Sequence, residues 1–221
     1  MIPAARIAAG GFPHTMSALH IPEKCGVLLI ENATLFPHGG MPLFIFEDHY
    51  RQMLDEALQG DCLFCVGRLH GGSAPGDPPD AAPIGTIGLV RASREQEDGT
   101  SQLLLHGVVR VRFNAWHDEK PYPYASIEPV LCEPLPPNQD RAGTATLKAA
   151  VEDAITDLPA DVRDSVLGLL NRADSASLLT DIVAQQFIHE PDTRQAVLEE
   201  SSIAARITMI CDYLRKIAGA G

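Results

Sequence analysis

Basic residues are scarce in this sequence. Its 221 residues contain 17 lysines and arginines against 29 aspartates and glutamates, which gives a formal net charge of −12. Nucleic-acid backbones and anionic lipid surfaces bind clustered basic side chains, whereas the acidic excess here runs through both halves of the chain. The composition therefore argues against nucleic acid and membranes as partners. A phosphate-binding P-loop is excluded too, because none of the lysines follows a glycine.

Long apolar runs and a disulfide framework are also missing. No stretch approaches the roughly 18 apolar residues of a membrane span, and Gly10, Gly11 and Pro13 interrupt the apolar N-terminus, unlike a signal peptide. The five cysteines are odd in number and lack framework spacing. These features are typical of a cytoplasmic protein, with residues 1–20 as a loose arm.

The common catalytic and metal-binding motifs are absent from the sequence. No two histidines lie four residues apart, as a helical zinc site requires, and residues 71–75 place a proline where a nucleophile elbow needs glycine. Cys62 and Cys65 have metal-ligand spacing, but they lie in an apolar strand-like run and are interpreted as structural thiols. His49 and His189, each beside an acid, are interpreted as solvated. We therefore predict no catalytic residue, no metal and no cofactor.

The chain changes texture near residue 135. Proline-rich residues 133–138 separate a first half with strand signals from a second half with helix signals. This change predicts an α+β protein in four parts: an N-terminal arm at 1–20, a β-rich lobe at 21–134, a linker at 135–142 and a helical bundle at 143–221.

Apolar and β-branched runs predict the strands of the first half. Asp98 and Gly99 form a hairpin-type turn pair between the runs at residues 85–93 and 102–113. In the final run, Val109 and Val111 alternate with Arg110 and Arg112, which predicts that both arginines lie on a wet face. There they would pair with acids of a neighbouring strand or clamp a carboxylate or phosphate. The predicted strands cover residues 25–30, 63–69, 85–93 and 102–113.

Helix signals appear once in the first half and repeatedly in the second. Residues 47–59 carry an apolar stripe of Tyr50, Met53, Leu54, Ala57 and Leu58, followed by Gly60 as a terminator. In the second half, Ser175 and Asp192 are the predicted helix caps, and the last helix is predicted to begin at about Ser202. The remaining helices are predicted near residues 143–157 and 160–172, and residues 73–83 are predicted to be an exposed loop.

Several motifs occur in the order in which one known family has them. Residues 29–53, which include Leu-Phe-Pro-His-Gly-Gly-Met-Pro-Leu-Phe-Ile-Phe-Glu, resemble the opening of the Lon substrate-binding domain family. Residues 83–90, 105–113 and 121–129 resemble its Val-Gly-Thr, Gly-x-x-Arg and Pro-Tyr strands. The helical residues 178–187 and 194–199, with Arg206, also follow its pattern. The likeness spans roughly residues 20–217.

The resemblance implies a fold and a function. The expected architecture is a PUA-like, partly open β-barrel with one packed helix, followed by an α-helical bundle. The chain departs from the family at His49, Tyr50 and Arg51, where the family usually has arginine followed by tyrosine. Its turn also has an additional glycine-containing stretch, His38-Gly39-Gly40, which predicts a looser loop. Without a P-loop or peptidase region, it resembles a free-standing member that lacks the ATPase and peptidase domains.

The predicted function is non-enzymatic recognition of unfolded or apolar polypeptide segments, as an adaptor or client-binding protein in protein quality control that works alone or with a protease or chaperone. A monomer or weak dimer is expected. The alternatives are an RNA- or small-ligand-binding PUA-like domain and an enzyme that uses a cysteine with a spatially adjacent histidine. Within the resemblance to the family, the turn at residues 36–42 has two possible roles. It contacts polypeptide, or its apolar side chains fill the end of the barrel. The predicted contact residues are Phe36, Pro37, His38, Gly39, Gly40, Met41 and Pro42.

Overall fold

The structure is a computed structural model that describes residues 20–71 and 78–219. Most of the arm predicted at 1–20, and part of the loop predicted at 73–83, lie outside these residues. In chain order the strands are β1 (Lys24–Ile30), β2 (Gly40–Ile45), β3 (Leu63–Arg68), β4 (Ile84–Glu95), β5 (Ser101–His117) and β6 (Tyr124–Pro129). The helices are α1 (Asp48–Gln59), α2 (Pro137–Ala154), α3 (Ala160–Leu170), α4 (Ala176–Phe187), α5 (Pro191–Glu199) and α6 (Ile203–Ala218).

The six strands form one strongly curved sheet in the order β2-β5-β4-β3-β1-β6. Strand β5 is 17 residues long, so its first part pairs with β2 and its last part pairs with β6. The β5–β6 pairing closes a barrel over the second part of β5, whereas β2 remains an edge strand. The predicted α+β class, with a partly open barrel followed by helices, is confirmed.

The β4–β5 hairpin has the turn that its sequence predicts. Gly99 lies in the left-handed region with φ of 79°, which glycine adopts without steric cost. The Asp98 carboxylate accepts hydrogen bonds from the Thr100 backbone N–H at 3.0 Å and the Thr100 hydroxyl at 2.7 Å. These bonds lower the pKa of Asp98. The turn holds together the two strands that form most of the candidate site.

Helix α1 packs on the sheet through most of its predicted stripe. Met53 and Leu54 are buried, and Tyr50 and Ala57 pack against the same apolar cluster. Leu58 is 41% exposed, so its predicted place in the core is wrong. It lies near the end of the helix, beyond the part that faces the sheet.

The helices of the second half bury their own core, and two predictions about them need correction. Helix α2 begins at Pro137, so most of the predicted 135–142 linker is helical; proline fits the first turn of a helix because its missing N–H would be unpaired there. Glu190 precedes α5, and Asp192 lies inside its first turn instead of capping it. Ser175 caps α4 as predicted, and α6 begins where predicted, with Ser202 as its cap; each serine accepts a backbone N–H bond. The division into lobes stays a prediction.

A buried ion pair joins the sheet to the helices. Arg110 on β5 is 3% exposed and donates to both carboxylate oxygens of Asp181 on α4, at 2.6 and 3.0 Å. Arg206 on α6 donates to the same carboxylate at 3.0 Å. We call these three residues the Arg110 cluster. The predicted wet position of Arg110 is wrong, because the helices cover its side of the strand; Arg112 is exposed as predicted.

No helix in residues 20–71 and 78–219 is both long enough and apolar enough to span a lipid bilayer.

Candidate functional site

The predicted contact turn is mostly buried. Phe36 is fully buried in the apolar core of the helices, and the Arg194 guanidinium lies 5.3 Å from the centre of its ring. Met41 is buried in the other apolar core, against β5 and α1. Pro37 and Gly39 are buried as well, which leaves His38, Gly40 and Pro42 exposed. The two large apolar side chains of the turn therefore face inward.

The turn is also bound closely to its neighbours. The Phe36 backbone N–H donates to Gln185 Oε1 on α4 at 3.0 Å, and the His38 N–H donates to the Gly107 carbonyl at 2.8 Å. A Cβ atom on Gly39 would lie 2.7 Å from Gln185 Oε1, so glycine permits the close approach. His38 adopts a positive φ of 62°. The looser loop expected from the additional stretch is therefore wrong, because hydrogen bonds hold it to β5 and α4.

Pro42, an exposed residue of the turn, belongs to a different surface, which we call the ribbon face. It is the uncovered side of the β2–β5–β4 ribbon. Strand pairing aligns Phe44 with Gln102 and Gln102 with Arg94, which gives one row across three strands. The next row consists of Pro42, Leu104 and Ala92. Residues directly opposite each other in a sheet project to the same side.

The ribbon face exposes large apolar side chains. Phe44 is 53% exposed, Phe46 is 59% exposed, and their rings stack with centroids 6.0 Å apart. Leu104 is 44% exposed. Phe44 and Leu104, together with Arg94 and Gln102, line an open cavity of about 540 Å³. An exposed apolar surface beside a polar rim is typical of an interaction site.

The edge of the ribbon has free backbone groups. The Gly107 N–H donates to the Gly39 carbonyl at 2.8 Å, so alternation along the antiparallel pair turns the backbone of Met41 and Leu43 toward β5. Pro42 and Phe44 then face the open edge, which suits proline because it has no N–H. Among the described residues, β2 pairs with no strand other than β5.

The only charged side chain that lines the cavity among the described residues is basic. Arg94 is exposed and forms no ion pair or side-chain hydrogen bond with the described residues. His106 lies one row beyond Leu104, and partial burial lowers its pKa, helped by the nearby charge of Arg91. Neither an aspartate nor a glutamate of the described residues lines the cavity.

Comparison with known proteins places this chain in a family. Residues 24–216 match the family described as ATP-dependent protease La (LON) substrate-binding domain. The chain belongs to this family. It is 25% identical over 202 residues to the Lon protease of Trichlorobacter lovleyi, covering 90% of this chain and 24% of that protein. It is also 25% identical over 211 residues to the Lon protease of Desulfovibrio desulfuricans, and this match covers 94% of this chain and 23% of that protein. The chain thus spans about a quarter of the length of these Lon relatives.

Solved structures of Lon N-terminal domains share the fold. The N-terminal domain of Mycobacterium avium complex Lon protease aligns with a TM-score of 0.69 at 15% identity, covering 87% of this chain and 98% of that one. A Lon N-terminal domain protein from Xanthomonas campestris aligns with a TM-score of 0.61 at 17% identity, covering 86% and 98%. At such low identity the likeness shows the fold alone.

A second polar group in this Lon substrate-binding domain joins α1 to the segment before β6. Lys120 Nζ donates to Glu56 Oε2 at 2.6 Å, and the Tyr122 hydroxyl donates to the same oxygen at 2.7 Å. The hydrogen bond from Lys120, followed by that from Tyr122, lowers the pKa of Glu56 to about 2. The same bond between Lys120 and Glu56 raises the pKa of Lys120. The opposite shifts are those of a salt bridge. The ionised, fully engaged carboxylate is suited to holding α1 in place and not to proton transfer.

The cysteines of this Lon substrate-binding domain are all free. Cys65 is fully buried, and burial, with the nearby Cys25 thiol, raises its pKa, which keeps it protonated. Burial also raises the pKa of Cys211. Cys62 precedes β3 in a turn, so its predicted place within the strand is wrong. Among the described residues, no group of three or more histidine, cysteine, aspartate or glutamate side chains has a metal-binding arrangement.

Proposed function

We propose that this chain is a polypeptide-recognition module and that the ribbon face is its contact surface. One observation carries the proposal: large apolar side chains stay exposed on an open face, directly beside an unpaired strand edge. Natural proteins usually protect such edges with charge, proline or covering elements. Here Pro42 is the only such device on β2, and Phe44 and Phe46 remain available to a partner.

The chemistry of this surface suits unfolded polypeptide. An unfolded chain offers apolar side chains, which the Phe44 and Leu104 side chains can bury, and free backbone groups, which the edge at Phe44 can pair with. Backbone pairing gives affinity without requiring one sequence, because every residue except proline has the same N–H and C=O groups. The surface thus fits a module that receives many different segments.

The turn at residues 36–42 takes a different role in this proposal from the one that its sequence suggests. His38, Gly40 and Pro42 form the exposed end of the ribbon face. Phe36 and Met41 support it from below, each by packing in a different apolar core. We expect the exposed residues to contact the partner, and the buried ones to set the position of β2.

Membership of the Lon substrate-binding domain family supports this role. We propose a non-catalytic module that presents or sequesters client polypeptides in the cytoplasm, as an adaptor or client-binding protein. The proposal concerns recognition only, and it needs no metal or cofactor.

Binding of a fluorescent peptide with alternating apolar side chains tests the proposal, with an unfolded, carboxymethylated protein as competitor. The double substitution Phe44→Ser and Leu104→Ser should weaken peptide binding about tenfold or more, because exposed aromatic and aliphatic anchors dominate such contacts. Leu131→Ser is the matched control, since Leu131 is 80% exposed but lies outside the ribbon face. Unchanged binding in the double variant, or no saturable binding by the unsubstituted protein, would refute the proposal.

A further inference from the structure

Arg94 is the one charged residue in the rows that define the ribbon face. It stands in the same row as Phe44, with Gln102 between them. Arginine has five N–H donors and remains charged at any physiological pH. Arg94 is exposed, lines the cavity and has no ion pair or side-chain hydrogen bond in the described part of the chain, so its donors are available to a ligand.

The surroundings of Arg94 contrast with the rest of the molecule. The whole chain has a net charge of −12, yet among the described residues no acid lines the cavity. Glu95 and Asp55 line a neighbouring depression beside α1, which shares Ala92 and Ser93 with the cavity. Arg94 is therefore the only charged side chain among the described residues that line the cavity, on a protein that is acidic as a whole.

We infer that the partner of the ribbon face is an extended polypeptide segment with an acidic side chain close to an apolar one. The apolar side chain packs on Phe44 and Leu104 while the carboxylate binds Arg94. This inference rests on the proposed function and adds the charge that the segment must carry. Charge complementarity determines the choice: a segment with a lysine at this point would meet an unpaired guanidinium.

Distances within the ribbon determine the spacing of the two side chains. Neighbouring strands lie about 4.8 Å apart, so the backbones of Phe44 and Arg94 are about 10 Å apart across β5. An extended segment advances about 3.3 Å per residue. Where a segment turns away from the β2 edge and crosses the ribbon, a carboxylate two or three residues from the apolar anchor therefore reaches Arg94. Nucleic acid is the poorer match, because it binds several basic side chains at once.

Three versions of one fluorescent peptide test the inference. All have the same apolar anchor, and they differ at a single position two residues away, which is glutamate, glutamine or lysine. The glutamate peptide should bind about fivefold more tightly than the glutamine peptide, the effect of one partly exposed ion pair. The lysine peptide should bind most weakly. Raising the salt concentration should narrow these differences, because it screens charge.

Charge reversal identifies Arg94 as the group responsible. Arg94→Glu should abolish the preference for glutamate over glutamine and invert it toward lysine. Arg172→Glu is the matched control: it makes the same charge change at an exposed arginine that forms no side-chain bond among the described residues, in the turn after α3. The preference should survive in this control. Unfolding curves of both variants show whether each remains folded.

The outcomes separate this inference from the proposed function. If all three peptides bind equally and Phe44→Ser weakens all of them, the ribbon face binds polypeptide and the acidic requirement is wrong. If none binds, the proposed function fails as well. If a single-stranded RNA oligomer displaces the glutamate peptide and binds more tightly, the partner is a nucleic acid and the inference is overturned.

Discussion

Arg94 and Arg110 lie on the two strands of one hairpin, but the molecule uses them differently. Arg110 is buried and donates to the Asp181 carboxylate in the Arg110 cluster. Arg94 is exposed at the rim of the ribbon face and has no partner among the described residues. Helices cover one end of the β4–β5 hairpin, whereas none of the described helices covers the outer side of the other end. The covered end builds the fold, and the uncovered end is available for binding.

The comparison shows why the same residue type has different energetic roles. A buried charge must be paired, because leaving it alone in the interior costs several kcal/mol of folding free energy. An exposed charge has no such requirement, since water solvates it. Substitutions in the Arg110 cluster should therefore change stability, whereas substitutions on the ribbon face should change binding. Four stability measurements test this contrast, from the largest expected effect to the smallest.

Removing the shared carboxylate should have the largest effect. Asp181→Ala leaves Arg110 and Arg206 buried without their acid, and we expect the free energy of unfolding to fall by about 3 to 5 kcal/mol. Urea unfolding measures this loss. Asp212→Ala is the control, because it removes an exposed pair with Arg215 at 2.7 Å and should cost less than about 1 kcal/mol. Similar losses in both variants would contradict the contrast.

A methyl group at Gly107 should be the next most costly change. Its Cβ would lie 2.1 Å from the Phe36 carbonyl oxygen, so Gly107→Ala has to displace the backbone of the turn. We expect a loss of about 2 kcal/mol. Gly168→Ala is the control: that Cβ meets nothing within 4 Å, and alanine in a helix should stabilise the protein by about 0.5 kcal/mol. A tolerated Gly107→Ala would show that the turn is not tied to β5.

The Glu56 salt bridge should have an intermediate, pH-dependent effect. A carboxyl whose pKa is lower in the folded protein adds stability above its unfolded pKa, and this stability disappears as pH falls toward the folded value. With the pKa of Glu56 lowered from 4.5 to about 2, the loss should occur between these pH values. The side chain is 36% exposed, so we expect no more than about 1 kcal/mol. Urea unfolding at neutral pH and near pH 3 should show a smaller decline in Glu56→Gln than in the unsubstituted protein.

Truncation on the ribbon face should have the smallest effect on stability. Leu104 is 44% exposed, whereas the next residue, Leu105, is fully buried. Leu104→Ala should change the free energy of unfolding by no more than about 0.5 kcal/mol, while Leu105→Ala should cost about 2 to 5 kcal/mol. Thermal or urea unfolding of both variants makes the comparison within a single strand. A large loss in Leu104→Ala would mean that the ribbon face is part of the core.

Local patterns predicted most of the elements correctly. These elements depend on neighbours within a few residues, so the local sequence is enough to predict them. Examples are the turn at Asp98 and Gly99, the apolar stripe of α1 apart from Leu58, the cap at Ser175 and the start of α6 at about Ser202. The ordered motifs also indicated the family and the fold class. Helix starts were predicted less well: Pro137 begins α2 where proline had suggested a linker.

Features that depend on distant partners could not be decided from local patterns. Alternation along β5 could not reveal that Asp181, 71 residues away, would accept two hydrogen bonds from Arg110. The sequence left open whether Phe36 contacts a partner or fills the core, and Gln185 and Arg194 on the helices pack around it. Phe44 and Leu104 were missed because neither lies in an alternating pattern that would show which side of its strand is covered. An unbroken apolar run, such as residues 43–46, was the only available signal.

By itself, the sequence determined most of the elements, their order, the acidic composition and the family, because these follow from local periodicity, composition and motif order. Only the tertiary structure decided which apolar side chains are exposed, and that Arg110 is paired while Arg94 has no partner among the described residues. Burial depends on what packs against each strand, and here that comes from helices whose residues lie far away in the chain. The difference between Arg110 and Arg94 is therefore a property of the fold.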